Sequence, residues 1–431
     1  MKILVISRGV VGRDMASPGV RAYHIARVLA EQIPDAQVTL AAPNEPDISS
    51  PHPRMRMVAS GNALNALRQM MEHDVIICRN FPPQVMSLFF KKRLALDFFT
   101  PFFIEWTELS KRFPSMAERK LWMSSNRHYS DMQLTLADYV FCSNDRQRDL
   151  WIGALAALGL VTPNVYDRGH NLEELVGVIP YGVQSGRPKH EKPVLKGVVP
   201  GIKETDKVVI WNGLLVEWFD ANTVVRAMAE VSKVRDDVKL FFLGTDHPDY
   251  VTSSAAPPVR SAVALAKELG IYERSVFFNV GWVHYQDIGN YLAESDIGVC
   301  AANDNLEARY AFRTRFVDLF WAELPIVCTK GDVLADRVES DPLGVAVQAG
   351  DSHAFAQGIL KLVQDEEFYE RCQRNLAGMK EELSWDRVVQ PLVEFCRSGK
   401  SYAAPKRQRL MPLIRRMIAY LVEKSLVRAR L

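Results

Sequence analysis

Cysteine is sparse. The chain has 431 residues and six Cys, and no two stand in a CxxC pair. Cys78, Cys142, Cys300 and Cys328 sit in or beside apolar, strand-like runs, as reduced and buried thiols do. That pattern argues against a zinc site and for a reducing compartment. Long apolar runs are missing too. None reaches the roughly 20 residues that a membrane-crossing helix needs, and the opening MKILVIS runs straight into an apolar strand without a signal-peptide pattern. The expectation is a cytoplasmic protein, soluble or peripheral on the inner face of the cell membrane. Surplus charge is also lacking. A net charge of +2 argues against a dedicated nucleic-acid binder. There is no internal repeat and no long low-complexity segment.

What is present is a globular composition, 48% hydrophobic and 24% charged, in a chain long enough for two domains of roughly 200 residues each. The strand-like runs KILVIS, QVTLAAP, DVIICRN, FFIEWTE and YVFCSN alternate with stretches of helical periodicity such as VRAYHIARVLAEQ. Residues 186–205, rich in Pro, Gly and Lys, read as a linker. The alternation then restarts at KVVIWNG and continues through VKLFFLGTD, VFFNVGWV, DIGVCAA, PIVCTKG and GVAVQAGD. The expected architecture is α/β: a Rossmann-like domain over 1–185, the linker 186–205, and a second Rossmann-like domain over 206–385. The two doubly wound parallel sheets would face a cleft. A helix over 386–400 is expected to return toward the first domain.

A basic tail over 401–431 completes the chain. From Ala404 on, Lys406, Arg407, Arg409, Arg415, Arg416, Lys424, Arg428 and Arg430 stand against the single acid Glu423. Leu413, Ile414, Met417, Ile418, Leu421 and Val422 form an apolar stripe at helical spacing. Such a basic amphipathic C-terminal helix suits an anionic membrane surface; the alternative is a helix packed on its own domain.

Several segments, in order, resemble the retaining GT-B glycosyltransferases of family 4. They are SPGVRAYHIARVLAE, LADYVFCSNDRQRD, VIPYGV, DDVKLFFLG, SVFFNVGWVHYQDIGNYLAESDIGVC and RTRFVDLFWAELPIVCTKGD. The resemblance implies a second domain that holds a nucleotide-sugar and a first domain that takes a sugar, glycolipid or polysaccharide acceptor. It implies transfer with retention and without a metal or other cofactor, in a setting such as bacterial surface polysaccharide or glycolipid synthesis. In the family a pair of acids lies eight positions apart, the second binding the nucleotide ribose. Asp318 takes that second position, seven residues before Pro325. The first falls on Tyr310, and Glu307, three residues earlier, is the candidate substitute for the sugar-facing acid. The basic pair that the family carries after the KVVIWNG strand is replaced by Glu217, Trp218 and Asp220.

A diphosphate still needs counter-charge. The candidates are Arg313 and Arg315, at the start of an expected helix 312–323, where the backbone N–H groups of Phe312, Arg313 and Thr314 would face an anion. The alternative is that these arginines pair with Glu307 or Asp318. Catalytic roles fall on Glu307 and Arg313 on this reading, with Arg309 a solvated rim residue. Gly19, in the loop before the first helix, and Asn212 and Gly213, after the first strand of the second domain, are expected near the donor phosphates. Glu105 and Glu108 are expected at a strand end as acceptor contacts, although either could pair with Lys111 or Arg112. Trp218 could stack on a base or sugar. A nucleotide-sugar epimerase of the same fold and a non-catalytic GT-B scaffold are the alternative functions.

Overall fold

The computed structural model describes residues 1–431 except 62, 83–90, 246–256, 280, 402, 404 and 431. Asp246 and Val280 of the expected strands, and Ala404 and Leu431 of the tail, lie outside the described residues, as do the side chains of Arg407, Arg428 and Arg430. The chain divides into two compact units: Met1–Tyr181 with Trp385–Leu431, and Gly182–Ser384.

The first unit is built on seven strands: β1 (Lys2–Ile6), β2 (Gln37–Ala42), β3 (Met55–Ala59), β4 (Val75–Cys78), β5 (Arg93–Asp97), β6 (Tyr139–Cys142) and β7 (Val176–Val178). Their order is β3-β2-β1-β4-β5-β6-β7, and every pair is parallel. The second unit has β8 (Lys207–Leu214), β9 (Val238–Gly244), β10 (Val276–Phe278), β11 (Ile297–Cys300), β12 (Ile326–Thr329) and β13 (Gly344–Val347), ordered β10-β9-β8-β11-β12-β13. These pairs are parallel too. The inner strands are unbroken apolar runs, VIIC in β4 and IVCT in β12 among them, buried at every residue because helices cover both faces of such a sheet. In each sheet the order reverses once, between β1 and β4 and between β8 and β11. A crevice beyond the carboxyl ends of the strands opens at such a point. All six cysteines are free and buried.

Two expectations are corrected. FFIEWTE is no strand: Phe102–Leu109 is a helix that follows Pro101. Its aromatic side chains face inward, with Phe102 4.6 Å and Phe103 5.1 Å from Trp151, ring centroid to ring centroid. A short apolar run fits a buried helix as well as a strand, and the strand that precedes it is RLALD. The supposed linker is a strap on the second unit. The Glu294 carboxylate accepts from the backbone N–H groups of Val194, Leu195 and Lys196 at 2.9, 2.7 and 2.8 Å, and Asn290 Oδ1 accepts from Glu191 at 2.7 Å. Proline and glycine there shape a fixed path.

The tail forms the expected helix and packs one side on its own unit. Leu410–Arg430 is helical, and Leu413, Met417 and Tyr420 join the first unit's core. Much of its basic charge is spent inward. Lys406 pairs with the buried Asp138 at 2.6 Å. Arg409 donates to the carbonyls of Thr135 and Ala137 at 2.9 and 2.8 Å, and Arg416 reaches the Thr135 hydroxyl at 3.1 Å. No helix among the described residues is long and apolar enough to cross a membrane.

Candidate functional site

The second unit's reversal point gathers most of the residues singled out in sequence. β8 carries an irregularity in register between Trp211 and Leu214, where Gly213 adopts φ +92°, a conformation that glycine tolerates and branched residues do not. β9 closes behind it: a Cβ on Gly244 would lie 2.6 Å from the Gly213 carbonyl carbon. Asn212 is buried and turned toward the neighbouring helix, Arg315–Trp321. Its Nδ2 donates to the Arg315 carbonyl at 2.9 Å and to Asp318 Oδ2 at 3.0 Å, leaving its Oδ1 buried without a hydrogen-bond partner. Asp318 is half-buried. Burial pushes its carboxyl up to about 6, against the pull of the Asn212 hydrogen bond and the Arg315 charge.

The loop after β11 departs from expectation. Asn305 caps a short helix, Leu306–Tyr310, through the Ala308 N–H at 2.9 Å, and this turns Glu307 inward. Arg313 grips it with a two-pronged bond, Nη1 to Oε1 at 3.0 Å and Nη2 to Oε2 at 2.6 Å, the side chains 5% and 2% exposed. A carboxylate with both oxygens occupied is not free to face a sugar. A guanidinium forked onto it is not free for a diphosphate. The reason is general: a buried guanidinium needs a counter-charge, and Glu307 is close in sequence. Burial disfavours the Arg313 charge, but Glu307 outweighs it, and the net shift is upward.

Arg315 is buried as well. It donates to the Leu214 carbonyl at 3.0 Å and lies 3.6 Å over the Phe219 ring and 4.6 Å over Trp211, while Nη1 has no hydrogen-bond partner. Burial lowers its pKa to about 10, Cys300 opposing and the Arg313 charge adding. The helix begins at Arg315 rather than 312, so Phe312, which is buried, and Arg313 precede it and Thr314 caps it, and their N–H groups do not form its first turn. Arg309 is exposed. Asp332 caps the helix Val333–Ser340 through the N–H groups of Leu334 and Ala335 at 2.8 and 3.0 Å. Its carboxyl is pushed up to about 6 by burial, with Arg313 opposing. Trp218 is half-buried, its ring 6.4 Å from Phe219, and its carbonyl accepts from the Asn303 N–H at 3.0 Å.

The remaining candidates belong to the first unit. Gly19 lies in the first turn of the helix Ser17–Gln32, and a Cβ there would lie 2.0 Å from the Val10 carbonyl oxygen. Its small size serves loop packing rather than ligand approach. Glu105 stands on the helix after β5, not at a strand end. It accepts from Thr100 Oγ1 at 2.9 Å and lies 3.9 Å from Arg79. Glu108 is bonded to Lys111. His24 is packed flat on Trp385, ring centroids 4.9 Å apart, and burial takes its pKa down to about 3. Among the described residues no three His, Cys, Asp or Glu side chains gather as a metal site would need.

Sequence reasoning passed over Arg8 and Arg79. Arg8 lies two residues beyond the end of β1 and Arg79 directly after β4. The signal was there, in an apolar strand run ending on arginine at KILVISR and DVIICR.

Residues 206–365 match the family model described as Glycosyl transferases group 1. No curated protein matches the chain in sequence. Among solved structures, Anabaena HepE in complex with UDP and glucose is 15% identical, with a TM-score of 0.62 over 92% of this chain and 100% of that one. Sucrose-phosphate synthase from Thermosynechococcus elongatus is 14% identical, with a TM-score of 0.57 over 92% and 98%. WaaG, a glycosyltransferase involved in lipopolysaccharide biosynthesis, is 14% identical, with a TM-score of 0.58 over 91% and 99%. The fold is therefore GT-B. The match to the group 1 glycosyl transferases lies within the second of the two sheets that make up this fold.

Proposed function

We propose that the chain moves a sugar from a nucleotide-sugar to an acceptor hydroxyl, with retention and without a metal. The observation that carries this is Asp318: within the matched domain, the half-buried acid sits at the reversal point, fixed by Asn212. A carboxylate so placed can accept the two ribose hydroxyls of a nucleotide. Arg313 and Glu307 cancel one another, so neither serves the donor. Arg315 remains as the cation with no carboxylate bonded to it. It lies beneath Gly213, its Nη2 3.8 Å from where a Cβ would stand, so a diphosphate approaching the bare Gly213 backbone meets its charge from below. Uridine diphosphate sugars are the first donors to try, because HepE was solved with UDP and with UDP-glucose. The test is a nucleotide-sugar panel scored for release of UDP, GDP or dTDP; no release from any donor with a broad acceptor mixture refutes transfer.

The internal Glu307–Arg313 pair favours a second reading, a non-catalytic scaffold. Absence of any nucleoside diphosphate binding in a thermal-shift panel would select it. For transfer, the setting we infer is surface polysaccharide or glycolipid synthesis on the inner membrane face. The outward side of Leu410–Arg430 supports it: Met411, Ile418, Leu421, Val422 and Leu426 are exposed, with Arg415 exposed among them, a pairing that suits an anionic bilayer. Ile418→Asp with Val422→Asp should abolish co-sedimentation with phosphatidylserine vesicles; unchanged binding refutes the membrane role.

A further inference from the structure

The first sheet's reversal point, between β1 and β4, has an unused chemistry. Arg8 lies just past the end of β1, exposed, with neither an ion pair nor a hydrogen bond to its side chain among the described residues. The loop that follows is tied toward the β2 flank. The Val11 N–H donates to Asn44 Oδ1 at 2.9 Å, Asn44 Nδ2 donates back to the Val11 carbonyl at 3.0 Å, and the Arg13 N–H donates to Asp47 Oδ1 at 2.9 Å. Gly12, at φ +146°, makes room, since a Cβ there would lie 1.9 Å from Asp47 Oδ1. With the loop drawn to one side, Arg8 stays at the strand end.

Arg79 stands beyond the adjacent strand. Its Nη2 donates to Thr100 Oγ1 at 2.9 Å, and that hydroxyl donates to Glu105 Oε2 at 2.9 Å. Arg79 also lies 3.9 Å from Glu105, and both side chains are partly exposed. Tyr129, on the helix Met116–Leu136, donates to the Phe81 carbonyl at 2.8 Å. Burial raises its pKa, and the Arg8 charge opposes that rise; β1 and β4 pair in parallel, so Arg8 and Arg79 follow the ends of neighbouring strands. The charges on these five side chains, Arg8, Arg79, Thr100, Glu105 and Tyr129, are two guanidinium groups against one carboxylate. The carboxylate is engaged in orienting the Thr100 hydroxyl.

We infer that Arg8 and Arg79 form a subsite for an anionic group on the acceptor, a phosphate monoester or a carboxylate. This rests on the glycosyltransfer reading, in which the first unit receives the acceptor. Two guanidinium forks at adjacent strand ends match the geometry of such anions. Arg79 is held by Thr100, whereas Arg8 is free to close on its ligand.

The test uses the full chain saturated with UDP, so that the donor side is filled, titrated calorimetrically with phenyl phosphate, glucuronate and octyl glucoside. The first or second should bind, and Arg8→Ala should weaken that binding by about tenfold or more, a charge-assisted hydrogen bond's worth, with an unchanged melting temperature. Phenyl phosphate alone identifies a phosphorylated acceptor, and glucuronate alone a carboxylated one. Binding indifferent to Arg8→Ala, octyl glucoside binding as well as the anions, or no binding by any probe overturns the subsite. UDP binding without anion binding sinks the subsite and spares the transferase reading. Anion binding without UDP binding does the reverse.

Discussion

The two reversal points treat arginine in opposite ways. In the second unit Arg313 and Arg315 are buried, one forked onto Glu307 and the other laid over Phe219 and Trp211. In the first, Arg8 is exposed, with no hydrogen bond or ion pair to its side chain among the described residues, and Arg79 is partly exposed, donating to Thr100 and 3.9 Å from Glu105. The same side chain therefore does different work. Inside, it satisfies backbone carbonyls and carboxylates and fixes a loop. At the open strand end Arg8 presents its donors outward. Arginine near a site is evidence of anion binding only when its fork is unspent.

The largest effect should come from breaking the inner pair. Glu307→Ala leaves Arg313 buried without its counter-charge, and a loss of about 3–5 kcal/mol in unfolding free energy is expected. Urea unfolding measures it. Replacing both, Glu307→Leu with Arg313→Met, should recover most of that loss, because apolar residues of like volume often match a buried pair. If the double variant is as unstable as the single one, the pair does more than neutralise itself.

Arg315→Ala should cost less, about 2 kcal/mol, for its ring contacts and its bond to the Leu214 carbonyl. On the proposed function it should also weaken UDP binding about tenfold. Lost stability with unchanged UDP affinity would make Arg315 purely structural and widen the contrast between the two ends.

The alternation of apolar runs made both sheets legible, because inner parallel strands are buried on both faces and show it as VIIC or IVCT. Asp318 was singled out by the resemblance, through its spacing to Pro325, and the structure puts it on the helix Arg315–Trp321, bonded to Asn212. The pairing of Glu307 with Arg313 was visible only as an alternative. Sequence shows that charges are near one another, while the cap at Asn305 decides which way Glu307 turns. FFIEWTE was misread because aromatic residues suit strands and buried helices alike. Residues 186–205 look like a free linker until Glu294, about a hundred positions away, is seen collecting their amides. Long-range hydrogen bonds of that kind leave no local pattern.

The acids beside the buried arginines give a pH signature. The Asp318 and Asp332 carboxyls are both raised to about 6, from an unfolded value of roughly 4. Between these limits the folded state holds more protons than the unfolded one, so stability falls as pH rises from about 4 to 6 and is level in these groups above that. Melting temperature should therefore climb as pH is lowered from 7 to 5. Asp318→Asn should flatten part of the slope, and an unchanged slope would show that Asp318 is ionised throughout.

The smallest expected effect is the most telling for the contrast. Arg8 is exposed, and its side chain makes no hydrogen bond or ion pair among the described residues, so Arg8→Ala should alter unfolding free energy by no more than about 0.5 kcal/mol. Arg8→Glu should be as mild, because the position is exposed to solvent that screens a new charge. A stability loss above about 1 kcal/mol from either would mean that Arg8 holds the fold after all, and the distinction between spent and unspent guanidinium groups would fail at the one residue where it is cleanest. Calorimetric melts of parent and both variants at a single pH near 7.5, where Asp318 and Asp332 are ionised, decide it without interference from the acid slope.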